Sequence, residues 1–433
     1  MKSIYFFATG CDKHRDEFER MMLSISDHYV KTTNPFKADF VIQSFCAISK
    51  ECIESIATTM AFLKIVKQEN PGCKIFVGGC ADSIVDLKKL YPFVDGTFER
   101  VERIKQILTL LGESEEKEIP PVRVVNRRAI ISISKGCNRH CSFCKVGYLD
   151  MTFKSVPMEE VLNRVHQAMK NRARFIVLEG ENTTEYGLDL YKEKKLLELL
   201  KEILRTEKNI RGILITGIVI EEMSDELIEF IAREPRIHSI QLEIQSLIPK
   251  VRKAMNLHGT TEEVLSVLQR LSRKSLISNI MVGHPGETDA DFKWQMELVR
   301  KHNLFFVMVN PFDNTPGTAS YQMEQVPEHV KIKRVKELFK VVAKLREKKI
   351  ENLAKPQSKL SNLNFTPIRA FIQEVKEDEV IMLPLDFTAV VKVPRSCFDY
   401  NPQPYDMHNV RILSMQSVAH GGNQLMVLGG ELV

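Results

Sequence analysis

The 433-residue sequence predicts an α/β protein with three parts. These are an N-terminal three-layer parallel-sheet domain, a central partial (β/α)6 barrel and a small C-terminal antiparallel β domain. Apolar runs alternate with helical patterns in two stretches separated by an acidic, proline-containing segment, as is typical of parallel sheets with crossover helices. After residue 364, short β-rich runs separated by turn clusters instead indicate a small barrel or sandwich.

The predicted N-terminal domain spans residues 1–112. Its candidate strands are SIYFFAT, DFVIQSF and KIFVGG, and DEFERMMLSI and ECIESIATTMAFLKIVKQ are candidate helices between them. The segment GESEEKEIPPVRVVNRR is acidic at its start and contains two prolines, which predicts a linker over 113–127.

The predicted partial barrel spans 128–362. Six candidate strands, each followed by a helical pattern, are AIISIS, RFIVLE, GILITG, SIQLEI, SNIMVG and LFFVMV. The sequence TTEE at 260–263 has the form of a capping box and TDAD at 288–291 is similar, so helices are expected to begin there. Chemistry in such a barrel is expected at the C-terminal ends of the strands.

Charge is distributed unevenly. Residues 126–364 carry 39 basic and 30 acidic residues, whereas 365–433 carry 5 and 8, a net charge of −3. The run 331–359 holds 11 basic and 3 acidic residues. Apolar residues recur in it at helical spacing, which predicts an amphipathic helix. They are Ile332, Val335, Leu338, Phe339, Val342 and Leu345. This helix is either a solvated face or an RNA-binding stripe. The predicted β domain spans 363–433.

The sequence favours a cytoplasmic protein. Its N-terminus MKSIYFFATG looks like a strand rather than a signal peptide, and no apolar stretch is long enough to span a bilayer. Nine cysteines are too few for a disulfide scaffold in a chain of this length. Clustered cysteines are therefore interpreted as metal ligands or catalysts.

Three cysteines lie in the loop SKGCNRHCSFCKVG, at positions 137, 141 and 144. A structural zinc site needs four ligands, and only His140 is a nearby candidate for the fourth. Three thiolates on a [4Fe–4S] cluster would leave one iron open to a small molecule. The loop follows the first strand of the predicted barrel directly, where such a fold places reactive groups.

This spacing, with Phe143 before the third cysteine, resembles that of radical S-adenosylmethionine (SAM) enzymes. The resemblance implies that Cys137, Cys141 and Cys144 hold a [4Fe–4S] cluster. SAM would chelate the open iron and be cleaved to methionine and a 5′-deoxyadenosyl radical. Phe143 would pack near the adenine or cover the apolar floor of its own loop. The remaining expected SAM-binding residues are Gly180, Glu181 and Asn182 in LEGEN, and Gln245 and Ser246 in IQSLIP.

A second set of cysteines lies in the N-terminal domain. Cys11, Cys46 and Cys80 each follow one of the three predicted strands. Neighbouring parallel strands deliver their C-terminal ends to one edge of a sheet, so three thiols can converge there on a second cluster. A single buried cysteine is usually a small hydrophobe, and the remaining three, Cys52, Cys73 and Cys397, are interpreted as structural.

Two three-cysteine sets in this order, followed by a small β domain, resemble the methylthiotransferases of the radical SAM superfamily. The blocks LEGENTTEYGLDLY, IQSLIPKVRKAMN, MVGHPGETDADF and NPFDNTPGTAS are similar to successive family blocks, and the tail resembles the TRAM domain. The resemblance implies two [4Fe–4S] clusters and two uses of SAM. One SAM would methylate sulfur at the Cys11, Cys46 and Cys80 cluster. The other would yield the radical that removes hydrogen from an unactivated C–H bond, which then captures the methylthio group.

The departures from the family pattern lie on the substrate side. The glycine of a usual QSGS block is absent from IQSLIP, and Thr315 stands where an arginine is usual. Known members of the family modify an adenosine in tRNA or a carboxylate side chain of a ribosomal protein. The acidic tail favours a protein or peptide substrate by charge complementarity, with tRNA as the alternative.

Radical chemistry also implies an electron donor, expected to be flavodoxin-like or ferredoxin-like, and we expect a monomer. The sequence is also compatible with a function of a different class. The thiols and the basic helix would also suit a zinc-stabilised nucleic-acid-binding protein.

Overall fold

The computed structural model describes residues 1–9, 12–47, 50–82, 85–100, 102–115, 119–120, 122–125, 127–146, 152–354, 368–384, 390–398, 402, 407–420 and 423–432. The chain divides into two compact units. The first comprises Met1–Arg123, Asn138–Thr152 and Asp313–Gln322, and the second comprises Val124–Cys137, Phe153–Phe312 and Met323–Val433.

A five-stranded parallel sheet forms the centre of the first unit, in the order β2-β1-β3-β4-β5. Its strands are β1 (Lys2–Ala8), β2 (Tyr29–Lys31), β3 (Phe40–Phe45), β4 (Lys74–Gly79) and β5 (Gly96–Glu99). The helices are α1 (Asp12–Ser24), α2 (Lys50–Glu69), α3 (Leu87–Leu90) and α4 (Arg103–Leu111). A short 3-10 turn covers Pro35–Lys37.

Hydrophobic cores lie on both faces of this sheet. Val41 of β3 belongs to one core together with Met60 of α2. Its neighbour Ile42 belongs to the other core, together with Met21 of α1 and Ile107 of α4. Adjacent residues of a strand point to opposite faces, so helices cover the sheet on both sides. The predicted three-layer arrangement is confirmed.

The structure adds two strands to the three that the sequence predicts. Both β2 and β5 lie at the edges of the sheet and contain only three and four residues. So few residues cannot establish an alternation of apolar and polar positions, which is why the sequence pattern does not reveal them.

An open seven-stranded sheet forms the centre of the second unit, in the order β14-β13-β12-β11-β10-β7-β6. Its strands are β6 (Val124–Val125), β7 (Arg128–Ser132), β10 (Phe175–Glu179), β11 (Gly212–Ile218), β12 (Ile237–Gln245), β13 (Ser275–Val282) and β14 (Val307–Pro311). Strands β8 (Ser134–Lys135) and β9 (Lys154–Ser155) form a separate two-stranded ribbon. Six strands of this sheet are parallel to one another, namely β7, β10, β11, β12, β13 and β14. Strand β6 runs antiparallel to β7 at one edge. The six predicted strands of the partial barrel are thereby confirmed.

The helices of this unit alternate with those strands. They are α5 (Met158–Lys170), α6 (Leu188–Tyr191), α7 (Leu196–Thr206), α8 (Asp225–Arg233), α9 (Pro249–Ala254), α10 (Thr261–Arg270), α11 (Asp289–Lys301) and α12 (Glu328–Ala354). Short 3-10 turns cover Ile220–Glu222 and Ala319–Gln322, the latter in the first unit. Thr260 and Glu263 form the predicted capping box of α10, and Thr288 and Asp291 form that of α11.

A closed five-stranded barrel lies near the C-terminus, in the order β15-β16-β17-β19-β18. Its strands are β15 (Ile368–Val375), β16 (Glu379–Pro384), β17 (Val390–Pro394), β18 (Met407–His420) and β19 (Asn423–Leu432), with a 3-10 turn at Arg395–Cys397. Four strand pairs are antiparallel, as predicted, but β17 and β19 pair in parallel. Strands in a closed ring of odd number cannot alternate in direction all the way round, so one pair must be parallel.

The basic helix differs from its prediction in which residues it buries. Leu338 and Val342 are buried, but Ile332 is 45% exposed. Lys331 and Arg334 are buried in its place. Lys331 donates to the carbonyl oxygen of Phe312 at 3.2 Å. Part of the positive charge of this helix therefore forms internal contacts and does not face solvent.

We expect the Arg334→Met substitution to lower the stability of the protein by about 3–5 kcal/mol, because it leaves a buried carboxylate without its cation. Arg334 lies 2.9 Å from the Glu287 carboxylate, whose side chain is 0% exposed. The shift should appear in the midpoint of urea unfolding followed by circular dichroism. Lys333→Met is the control, since Lys333 is exposed, and its effect should stay within about 0.5 kcal/mol. Equal shifts in the two variants would contradict the prediction.

No described helix is both long enough and apolar enough to cross a lipid bilayer. The predicted domain boundary at 362 lies outside the described residues.

Candidate active site

Two of the predicted cluster cysteines lie side by side at the carboxyl edge of the first sheet. Phe45 of β3 pairs with Gly79 of β4, and Cys46 and Cys80 each follow one member of that pair. Parallel neighbours are about 4.8 Å apart, so the two backbones leave the sheet together. Both cysteines are buried, at 5% and 2% exposure.

A glycine and a threonine shape the local backbone at this edge. Gly79 has φ +92°, and a Cβ there would lie 2.8 Å from the hydroxyl of Ser44. Thr9 follows β1 and its hydroxyl accepts a hydrogen bond from the Cys46 amide at 3.0 Å. The ends of β1, β3 and β4 therefore meet at one place. Cys11 lies outside the described residues.

The three-cysteine loop follows the short strand β8. Cys137 belongs to the second unit, whereas Cys141 and Cys144 belong to the first. Cys137 follows the β8 strand and Gly136, which has φ +75°. Cys141 and Cys144 flank a turn in which the Cys144 amide donates to the Cys141 carbonyl at 3.0 Å. All three cysteines are half-buried.

The turn is held by a neighbouring segment of the same unit. The hydroxyls of Ser142 and Ser320 lie 2.6 Å apart, and the Ser320 amide donates to the Ser142 carbonyl at 2.7 Å. Phe143 is half-buried beside them. Lys145 is buried, and burial lowers the pKa of its ammonium group. The residues between Cys141 and Lys145 are therefore fixed by direct contacts rather than projecting as a free loop.

The predicted SAM loop follows β10 directly. A Cβ on Gly180 would lie 2.3 Å from the Ser134 hydroxyl, and a Cβ on Gly217 would lie 2.1 Å from the Gly180 carbonyl oxygen. Glycine at 217 lets the end of β11 approach the backbone of the loop after β10, and glycine at 180 leaves room for Ser134 of β8. Glu181 accepts a hydrogen bond from the Gly136 amide at 3.1 Å, which ties this loop to the residue before Cys137.

Asn182 is a fully buried polar residue of that loop, at 0% exposure. Its amide donates to the Glu185 carboxylate at 3.2 Å. Its side-chain oxygen accepts no hydrogen bond within the part of the chain that the structure describes. A buried acceptor without a donor fits an ammonium or hydroxyl group of a bound ligand.

The end of β12 carries the other two predicted SAM-binding residues, which differ in their surroundings. Gln245 is half-buried, donates to the Glu243 carboxylate at 2.7 Å and accepts from the Asn279 amide at 3.1 Å. Ser246 is fully buried, and its hydroxyl contacts Gln295 at 3.3 Å. The Gln245 side chain belongs to a polar network on the sheet, whereas the Ser246 hydroxyl is engaged in the protein interior.

A buried group beyond the end of β13 was not singled out from the sequence. His284 and Glu287 are both buried, and the His284 ring packs edge-on against Phe312 with centroids 4.8 Å apart. Burial lowers the pKa of His284 to about 4 and raises that of Glu287 to about 7. The block MVGHPGETDADF marked this segment, but nothing in it distinguished a buried histidine from an exposed one.

We expect the His284→Phe substitution to change how stability depends on pH. The pKa of His284 in the folded state lies below its unfolded value of 6.5. The unfolded chain therefore binds the extra proton, and the histidine costs stability as the pH falls from about 6.5 towards 4. Relative to the wild type, the variant should gain about 2 kcal/mol at about pH 5 compared with about pH 7.5.

Urea-unfolding midpoints at the two pH values measure this effect. Glu287 is present in both proteins, so its own titration largely cancels in the comparison. The lost hydrogen bond between the imidazole and the Pro285 carbonyl affects both pH values equally. A difference between the two proteins that is the same at both pH values would contradict the prediction.

Within the described residues, no three His, Cys, Asp or Glu side chains converge closely enough to hold a single metal ion. The cluster ligand sets and the SAM contacts therefore stay predictions that rest on placement at strand ends.

An open sheet of six sequential parallel strands, with a Cys-x3-Cys-x2-Cys loop shortly after the first of them, defines the radical SAM class of enzymes. The sequence comparisons agree with this class. The Radical SAM superfamily model matches residues 131–299. The model described as "Uncharacterized protein family UPF0004" matches residues 3–97.

Curated relatives extend the similarity over most of the chain. The ribosomal protein uS12 methylthiotransferase RimO of Carboxydothermus hydrogenoformans is 28% identical over 359 residues, covering 78% of this chain and 81% of the relative. The tRNA-2-methylthio-N(6)-dimethylallyladenosine synthase of the same organism is 29% identical, covering 78% and 83%. The synthase of the same name from Chromobacterium violaceum is also 29% identical, covering 79% and 83%.

Among solved structures, a radical SAM methyltransferase, TsrM from Kitasatospora setae with cobalamin and a [4Fe–4S] cluster bound, is similar in fold. The TM-score is 0.52 at 8% identity, covering 74% of this chain and 77% of that one. The chain is a homologue of the radical SAM methylthiotransferases, an enzyme class of sulfur-inserting transferases. Enzymes of this family use two [4Fe–4S] clusters and SAM.

Proposed function

We propose that this enzyme inserts a methylthio group into an unactivated C–H bond of a protein or peptide side chain. The observation that carries the choice of substrate is charge. The C-terminal barrel region carries 5 basic and 8 acidic residues over 365–433, and an acidic surface attracts a basic polypeptide and repels phosphate. Internal contacts of Lys331 and Arg334 also reduce the positive charge that α12 offers to RNA.

A tRNA adenosine is the second candidate substrate. Five lysines of α12 remain exposed along one side of the helix, at three- and four-residue spacing. They are Lys333, Lys336, Lys340, Lys344 and Lys348. Such a row can neutralise phosphates, and the two tRNA-named relatives are as similar to the chain as the uS12-named one.

We propose that Cys11, Cys46 and Cys80 hold the auxiliary cluster and that Cys137, Cys141 and Cys144 hold the SAM-binding cluster. Three thiols per set suit a [4Fe–4S] cluster with one open iron. When bound, the cofactors supply the one-electron cleavage of SAM and the methyl group. A protein contributes binding and orientation to such chemistry, because no side chain is basic enough to remove an unactivated hydrogen.

The remaining predicted residues serve binding and orientation in this proposal. The orphaned side-chain oxygen of Asn182 accepts a hydrogen bond from SAM. Gly180 offers its backbone to SAM from a loop that packs closely against Ser134, and Glu181 fixes the start of the cysteine loop through Gly136. Phe143 covers the adenine. Gln245 presents its amide from the sheet, and Ser246 supports the turn that holds Gln245.

We further propose a monomeric enzyme that works in the cytoplasm, where thiol ligands stay reduced. A flavodoxin-like or ferredoxin-like protein would supply its electrons. The proposed domains are 1–112, 128–362 and 363–433, with 113–127 as a linker.

Supplying total ribosomal protein and total tRNA as separate substrates tests the choice between the two candidates. We expect mass spectrometry to find a new methylthio group on a polypeptide and none on RNA. In a filter-binding salt series, we expect only weak tRNA binding at physiological salt. Tight binding with a steep salt dependence, together with a modified adenosine, would overturn the polypeptide proposal.

A further inference from the structure

The strand β12 ends in a strained three-residue turn. The Ser246 amide donates to the Ile244 carbonyl at 2.7 Å, which is the hydrogen bond of a γ-turn, and Gln245 between them has φ +60°. A γ-turn with positive φ at its centre is rare and strained, especially for a residue other than glycine. The pairing of β12 with β13 is also irregular just before it, between Leu242 and Gln245.

The turn is held by a buried arginine from the next helix. Arg252 of α9 is 2% exposed, and its Nη1 atom donates to the carbonyls of Ile244 at 3.3 Å and Ser246 at 2.9 Å. These two carbonyls flank Gln245 on either side. The guanidinium therefore spans the strained residue and stabilises the turn.

The same guanidinium reaches two further loops at this edge of the sheet. Its Nη2 atom donates to the His258 carbonyl at 2.6 Å and to the Glu221 carboxylate. Glu221 lies in the turn after β11 and its side chain is only 3% exposed. A buried arginine with this many acceptors is fixed in one orientation, because its planar fork matches all of them at once.

Strain of this kind persists only where the surroundings enforce it, and it concentrates at ligand sites. The side chain that the turn directs is Gln245, a proposed SAM-binding residue that contacts Glu243 and Asn279. We propose that Arg252 is a positioning residue for SAM: it holds the Gln245 turn in its left-handed conformation, with Glu221 as its anchor. This inference rests on the proposed function.

The test compares SAM affinity, measured by equilibrium binding to the cluster-reconstituted protein, across matched variants. Arg252→Met should weaken SAM binding about tenfold or more and raise KM more than it lowers kcat. Because this variant leaves Glu221 buried without its cation and can misfold, the double variant Glu221→Leu with Arg252→Met is the decisive one. Replacing both members of a buried ion pair by apolar residues is close to neutral for stability.

We expect the double variant to keep the iron content of the wild type and to unfold cooperatively, at a thermal midpoint lowered no more than that of Arg346→Met, but to bind SAM about as weakly as Arg252→Met. Arg252→Lys should restore part of the affinity, since one donor nitrogen with its positive charge remains. Amide hydrogen exchange across residues 244–248 should rise in the methionine variants. That readout does not depend on turnover.

Arg346→Met is the matched control. Arg346 also donates to two carbonyls, those of Phe305 and Val307, but at the opposite, N-terminal end of β14. It should lose stability without losing SAM affinity.

Wild-type SAM affinity in the folded double variant would overturn the positioning role. Failure of the wild-type protein itself to bind or cleave SAM would count against the proposed function instead. Unchanged exchange at 244–248 in both methionine variants would contradict the structural part of the inference on its own.

Discussion

Replacing Cys137, Cys141 and Cys144 together by alanine should abolish SAM cleavage, lowering the yield of 5′-deoxyadenosine about a thousandfold or more. Thiolates are the cluster ligands, and alanine offers none. Without the cluster the protein has no group that can deliver a single electron to the sulfonium. The measurement is 5′-deoxyadenosine by mass spectrometry under reducing, anaerobic conditions, together with iron content. Iron should fall from about eight to about four atoms per chain.

Cys397→Ala is the control for this triple substitution. Cys397 is exposed in a 3-10 turn of the C-terminal barrel and is interpreted as structural. Its variant should keep the iron content and SAM cleavage of the wild type. Persistent deoxyadenosine formation by the triple variant would show that another ligand set carries the cleavage.

Replacing Cys46 and Cys80 by alanine should separate the two uses of SAM. The loop at positions 137 to 144 is untouched, so deoxyadenosine should form within about twofold of the wild-type rate, a barrier change of under ~0.5 kcal/mol. Formation of S-adenosylhomocysteine should stop, because the auxiliary cluster that receives the methyl group cannot assemble on the remaining thiol. Both products can be followed in one reaction without knowing the macromolecular substrate.

Cys73→Ala is a closely matched control. Cys73 is as deeply buried as Cys80, and the two residues flank the same strand, but Cys73 precedes β4 at the amino edge. Burial raises the pKa of its thiol to about 11, which disfavours the thiolate that a metal ligand needs. This variant should lose only about 0.5–3 kcal/mol of stability. Loss of both SAM products in Cys46→Ala with Cys80→Ala would contradict the division between the clusters.

Strand positions were predictable wherever burial on both faces made a mostly apolar run. FVIQSF is an example, because all six residues of β3 are buried between two layers of helices. The positions of Cys46 and Cys80 followed from the same rule, since parallel strands of one sheet end together. Edge strands were missed because β2 and β5 each have a single paired neighbour and too few residues to form a pattern.

Contacts between residues distant in sequence were not predictable. Lys331 and Arg334 look like solvent-facing members of a basic run, and only the acceptors at Phe312 and Glu287 explain their burial. The left-handed conformation of Gln245 is equally hidden, because glutamine has no preference for it and the cause lies in the guanidinium of Arg252. The sequence therefore located the candidate site, and tertiary contacts determine how its side chains are held.

The first compact unit is assembled from three separate stretches of chain, Met1–Arg123, Asn138–Thr152 and Asp313–Gln322. During synthesis its sheet can form early, but its last piece, which carries Ser320 as the partner of Ser142, leaves the ribosome only after β14, the last strand of the second sheet, has been translated. Expressing residues 1–123 alone would omit two of the three pieces. Biochemists who wish to study this half in isolation would have to join the three stretches with new linkers, because no single cut releases it.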